Sequence, residues 1–254
     1  VLREPLHHHR TIDVPLPRRA LAEFLGSAFL AATVVGSGIA AAQLSPGDTG
    51  LQLLENAAAT AAGLATFILM FEPISGAHFN PVVSLVDVAL GGRGRRDLLA
   101  YIPAQVAGCI AGAILANAMF GLAAVSVSTN HRASPPHLLA EVVATLGLML
   151  LIFSLARTER GRLAPAAVGA YIGAAYFFTS STSFANPAID VGRTFSDTFA
   201  GIAPASVPAF VAAQLVGGAL ALGLIAVLYP VGWAHGHVPR RAPDGADLRR
   251  AELG

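Results

Sequence analysis

Charge is scarce in this chain, and lysine is missing altogether. Only 12% of the 254 residues are charged, about half of what a soluble domain carries. The sixteen bases, all arginine, nearly cancel fifteen acids, so no basic face offers itself to nucleic acid. A single cysteine, Cys109, excludes an intrachain disulfide, and no CxxC or Cys/His cluster suggests a metal site. The chain starts at Val1, so an initiator methionine is expected to be missing or trimmed. No short apolar stretch with a cleavage pattern reads as a removable signal peptide. What the sequence does have is apolar bulk: 54% hydrophobic residues and a mean hydropathy of +0.63. That composition is expected of an integral membrane protein.

A bilayer core needs about 20 apolar residues per helix. Five segments supply them, at about 20–43, 51–71, 98–124, 138–156 and 205–233. A sixth, shorter span runs from Leu163 to about Ser180, where a polar Thr-Ser run stops it. Their Gly and Ala content suits close helix packing in lipid. Fourteen of the sixteen arginines fall in the two tails and in the connections between spans two and three and spans four and five. With an even number of spans these share one side, which leaves Arg132 and Arg193 opposite and places both termini in the cytoplasm. The expected organisation is a cytoplasmic tail at 1–19, a channel-like domain at 20–233 and a second tail at 234–254. The polar first tail carries His7, His8 and His9; a plain cytosolic tail is the expectation, with metal binding or pH sensing the alternative.

Three landmarks recur in order. Ala-Glu-Phe-Leu-Gly at 22–26 is echoed by Ala-Glu-Val-Val-Ala at 140–144, and Ala-His-Phe-Asn-Pro-Val at 77–82 by Ser-Phe-Ala-Asn-Pro-Ala at 183–188. Ile-Pro-Ala-Gln-Val-Ala-Gly at 102–108 returns as Val-Ala-Ala-Gln-Leu-Val-Gly at 211–217. The repeats cover about 20–125 and about 138–233. Each holds an odd number of spans, so the copies are inverted in the membrane, an arrangement that builds transport paths at the midplane. Pro81 and Pro187 favour the first turn of a helix, and Asn80 and Asn186 are good N-caps. Each pair therefore starts a half-helix, at about 80–90 and about 186–198, too short to span. Entering from opposite faces, the half-helices would aim their positive dipole ends and the Asn amides at one pore. The expected fold is an all-α membrane protein with six transmembrane helices, two re-entrant half-helices and an inverted 3+3 repeat.

Glu23 and Glu141 are single carboxylates in apolar helices, and intramembrane acids are functional-site candidates by default. Two roles compete: proton carriers in a coupled transporter, or fixed acceptors for the loop N–H groups that re-entrant backbone leaves unpaired. Their place beside one loop each favours the second. Gln105 and Gln214 read as interhelical hydrogen-bond partners. Cys109 reads as a packing residue, and Glu72 as a solvated helix end rather than a gate.

These residues, above all Ser-Gly-Ala-His-Phe-Asn-Pro at 75–81 and the paired Asn-Pro motifs, resemble those of the aquaporin (major intrinsic protein) family over about residues 20–232. The resemblance implies a homotetramer, a pore in each subunit, and no cofactor, metal or enzymatic activity. It implies passage of water or small neutral solutes across a cell membrane, a bacterial inner membrane here. It assigns Asn80, Pro81, Val82, Asn186, Pro187 and Ala188 to the central motifs, Val82 replacing the usual Ala. Solute-guiding carbonyls would be those of Gly76, Ala77, His78, Ser183, Phe184 and Ala185. The outer filter would be Thr60, Ala174, Ser183 and Ile189, wider and less cationic than usual because Ile189 stands where most members have Arg. Asp190 and Arg193 would lie at the outer mouth, Arg193 either as a displaced arginine or as a partner of lipid headgroups or of Asp190 or Asp197. The stretch 177–188 also resembles a bacterial branch linked to arsenite permeation. The expected function is passive passage of glycerol-like polyols, with arsenous acid a candidate and water also passing. The alternatives are a water-selective pore and a proton-coupled transporter using Glu23 and Glu141.

Overall fold

The computed structural model describes residues 14–230; His7, His8, His9, Arg3, Arg10 and the arginines of the second tail lie outside them. Among the described residues eight α-helices follow one another: α1 (Leu16–Leu44), α2 (Thr49–Ser75), α3 (Pro81–Ala89), α4 (Arg95–Met119), α5 (Pro135–Arg157), α6 (Ala164–Phe178), α7 (Pro187–Arg193) and α8 (Val207–Leu228). Among the described residues there is no strand. Helices α1, α2, α4, α5 and α8 are long and apolar enough to cross a membrane. The fifteen-residue α6 is shorter, as the sequence suggested, but a 3-10 turn at Gly161–Leu163 leads into it. Together they span about 28 Å, close to the thickness of a bilayer core.

The exterior and interior have exchanged the roles they have in a soluble protein. Leu99, Val227 and Leu139 are among many exposed large apolar residues, while Glu23, Glu141, Gln105 and Gln214 are each 0% exposed. Lipid solvates the outside. Inside, α1 packs on α4 and α5 on α8 through glycines at matching places. A Cβ on Gly108 would meet the Phe24 carbonyl oxygen at 2.3 Å, and one on Gly217 the Val142 carbonyl oxygen at 2.6 Å. Phe24 and Val142 directly follow the two glutamates, so this close approach also sets each carboxylate against its loop.

Both half-helices begin where the Asn-Pro pairs put them. Asn80 Oδ1 accepts from Val82 N–H at 2.9 Å and Asn186 Oδ1 from Ala188 N–H at 3.0 Å. Helix α3 ends at Ala89, as expected, but α7 stops at Arg193 rather than near residue 198. The connection between α4 and α5 ends it: Ser128 N–H donates to the Thr194 carbonyl and Ser126 N–H to that of Phe195, at 2.9 and 3.2 Å. Acceptors committed to another segment cannot continue a helix.

Candidate functional site

The re-entrant loops need unusual backbone. Ala77 and Phe79 have φ of +52° and +50°, and Ser183 and Ala185 of +51° and +45°. The loops match on one offset of 106 residues, that of Asn80 to Asn186. Left-handed conformations at non-glycine residues cost energy and persist only when their surroundings fix them. The glutamates do the fixing. Glu23 accepts from Ser75 Oγ at 2.6 Å, His78 N–H at 3.0 Å, Phe79 N–H at 2.7 Å and Gln105 Nε2 at 2.8 Å. Glu141 accepts from Phe184 N–H at 2.9 Å, Ala185 N–H at 2.7 Å and Gln214 Nε2 at 2.7 Å. Of the two roles open for these acids, the geometry is that of fixed acceptors, because nearly every partner can only donate.

The halves are stitched together at the centre. Asn80 Nδ2 donates to the Ala185 carbonyl at 2.7 Å and Asn186 Nδ2 to the Phe79 carbonyl at 2.8 Å. An amide nitrogen has two hydrogens, so each Asn keeps one donor for a solute. Both residues line one channel cavity between the halves. Helices supply its apolar wall, including Leu30, Leu64, Val83, Leu148 and Val168, and the loops supply backbone from Ala77 to Asn80 and from Ser183 to Asn186.

Of the expected carbonyl positions, Ala77, His78, Ser183, Phe184 and Ala185 border this channel, and Gly76 is not among its lining residues. By the 106-residue offset, Ser183 to Ala185 matches Ala77 to Phe79, and the Phe79 carbonyl already accepts from Asn186. The Ala185 carbonyl, moreover, is occupied by Asn80. Val82 does not narrow the path: it is 1% exposed, and its Cγ1 packs where a Cβ on Gly218 of α8 would sit, 2.7 Å away. Ala188 and both prolines are buried too.

Thr60, Ser183 and Ile189 line the channel together; Ala174 does not. Ala174 lies on the exposed side of α6, while Ile172 and Tyr176 face inward. Residues four apart share a helix face and one midway between them points away, so Ala174 is on the wrong side of α6 for the filter. The Tyr176 hydroxyl donates to Thr60 Oγ1 at 3.2 Å; this was the lining residue missed, and helix phase was the signal that marked it. Asp190 is not at the mouth either. It is 0% exposed and faces α8, where Gln214 Nε2 donates to it at 3.3 Å, the place that Ser84 holds beside Gln105 in the other repeat. Arg193 does line the channel, and Asp197 is bonded instead to Thr129. Cys109 is fully buried and packs against Gly192 of α7. Among the described residues no cluster of His, Cys, Asp and Glu could hold a metal ion.

The profile of the major intrinsic protein family matches residues 10–197. The chain is 49% identical to the aquaglyceroporin AqpS of Rhizobium meliloti (strain 1021) over 213 residues, 84% of this chain and 91% of that one. It is 33% identical to the glycerol uptake facilitator protein of Pseudomonas aeruginosa, covering 76% of this chain and 80% of the relative. Its fold is similar to the X-ray structure of the aquaglyceroporin from Plasmodium falciparum, with a TM-score of 0.66 at 21% identity, over 83% of this chain and 96% of that one. Two inverted halves, a carboxylate bracing each re-entrant loop and a pair of crossed asparagines at the centre of one channel agree with these likenesses: the chain is a membrane-embedded channel protein that belongs to the major intrinsic protein family.

Proposed function

We propose that the chain passively conducts small uncharged polyol-like solutes, glycerol foremost, with water passing too and arsenous acid sharing the path. The observation that carries this reading is the make-up of the channel. One part of its wall is apolar and suits carbon-bound hydrogens, while the loops offer carbonyl acceptors and two asparagine donors for hydroxyl groups. Thr60 and Ser183 are small, and Ile189 brings no charge, which favours a polyol over a strictly water-sized permeant. Similarity to an aquaglyceroporin and to a glycerol uptake facilitator supports the same solute class. Glu23 and Glu141, saturated with donors, support a path that carries no proton. The arginine distribution favours cytoplasmic termini, and the family resemblance a homotetramer with one pore per subunit.

The test is a panel of solutes on one preparation of proteoliposomes. Swelling should be fast in glycerol and arsenous acid gradients and measurable for water. Water flux without glycerol flux would overturn the polyol reading in favour of a water-selective pore.

A further inference from the structure

Residue 189 is uncharged, yet the channel contains a guanidinium. Arg193 sits one turn beyond Ile189 on α7, is 3% exposed, and lines the channel with Thr60, Tyr176, Ser183 and Ile189. Its Cζ lies 3.5 Å from the centroid of the Phe184 ring, and its Nε donates to the Ala200 carbonyl. Phe184 is a fixed platform: Phe210 meets it edge-on with centroids 5.3 Å apart, and its N–H is held by Glu141. A second guanidinium, that of Arg132, approaches the same ring at 5.4 Å, but it is spent on the Gly201 and Phe199 carbonyls at 2.7 and 3.0 Å. The Nη atoms of Arg193 differ. Among the described residues they have no hydrogen-bond acceptor and they keep accessible surface, on a side chain that lines the channel.

We infer that Arg193 is the charged element of the outer filter, carried from position 189 to position 193 and held flat over Phe184. This rests on the channel reading above and adds to it how charge is excluded. A planar guanidinium can stack on the ring and still present two donors to a passing hydroxyl, which an ammonium cannot do. Its fixed positive charge opposes hydronium and metal cations, while Ile189 leaves the path wide enough for a polyol.

The full-length channel in proteoliposomes tests this through water and glycerol swelling, proton leak read by an entrapped dye, and sodium conductance in planar bilayers. Arg193→Gln should keep water swelling and raise the cation leak roughly tenfold, the scale that one unit charge at channel distances sets. Ile189→Arg added to Arg193→Gln should restore exclusion. An Arg193→Gln channel that conducts water and leaks no more than wild type overturns the inference. Should that variant not fold, phenylglyoxal on the wild-type channel carries the test. It should slow glycerol swelling with an adduct at Arg193, in Arg132→Gln as well, and slowing with Arg193 unmodified overturns the inference. Wild-type vesicles that do not swell in glycerol count against the polyol reading, not against Arg193.

Discussion

Glu23→Gln separates a structural carboxylate from a proton carrier. The change preserves shape and removes one acceptor oxygen. Glu23 accepts four hydrogen bonds, three of them from N–H groups of His78, Phe79 and Gln105. If the new amide keeps its oxygen toward Phe79 and Gln105, its NH₂ faces the His78 N–H; the Ser75 hydroxyl can rotate to accept, but the backbone N–H cannot. One unpaired buried N–H costs about 1–3 kcal/mol, and three bonds that change from charged to neutral lose about 1 kcal/mol each. Relief from desolvating a charge returns several kcal/mol, which leaves a net loss of about 1–3 kcal/mol. At about 2–4 °C per kcal/mol for a chain of this size, Tm in detergent should fall by about 2–12 °C. Passive glycerol flux per folded channel should persist and stay indifferent to a proton gradient. A variant with wild-type Tm whose flux has lost a dependence on pH gradient would refute the bracing argument and return Glu23 to proton transfer.

Four further substitutions probe packing and filter. Gly218→Ala should destabilise the fold by about 1–3 kcal/mol through overpacking against Val82, and Val82→Ala should relieve it; additive losses in a double-mutant Tm cycle would show that the two do not touch. Gly112→Ala should cost more, because its Cβ would lie 2.1 Å from the Ala28 carbonyl oxygen and backbone cannot step aside as a side chain can; a monodisperse variant with unchanged Tm would contradict the α1–α4 contact. Ile189→Arg alone should lower the glycerol-to-water flux ratio roughly tenfold by adding a second guanidinium beside Arg193. An unchanged ratio would show that residue 189 is not at the constriction.

What was legible in the sequence was whatever a one-dimensional pattern enforces. Hydropathy gives the spans, Asn-Pro gives the half-helix starts, and the repetition of Glu, Asn and Gln gives the inversion. Carboxylates beside re-entrant backbone are legible too, because unpaired N–H groups demand acceptors. Side-chain direction was less so. Ala174 was expected in the filter, but the phase of α6 turns Ile172 and Tyr176 inward instead; Val82, in place of the usual Ala, fills the space that Gly218 leaves in α8. The early end of α7 depended on the segment at 126–130, 68 residues away in the chain at its Thr129–Asp197 contact, and no local signal carries that. Asp190 could have been placed from symmetry, since the 106-residue offset pairs it with Ser84, which touches Gln105 as Asp190 touches Gln214.

The central claim is passive conduction of a neutral solute through one braced channel. Stopped-flow light scattering on proteoliposomes facing a glycerol gradient, with and without an imposed pH gradient, tests it most directly. The account predicts fast swelling, equal in both conditions and lost in empty vesicles. Glycerol entry that requires the pH gradient, or none at all where water still passes, would contradict it.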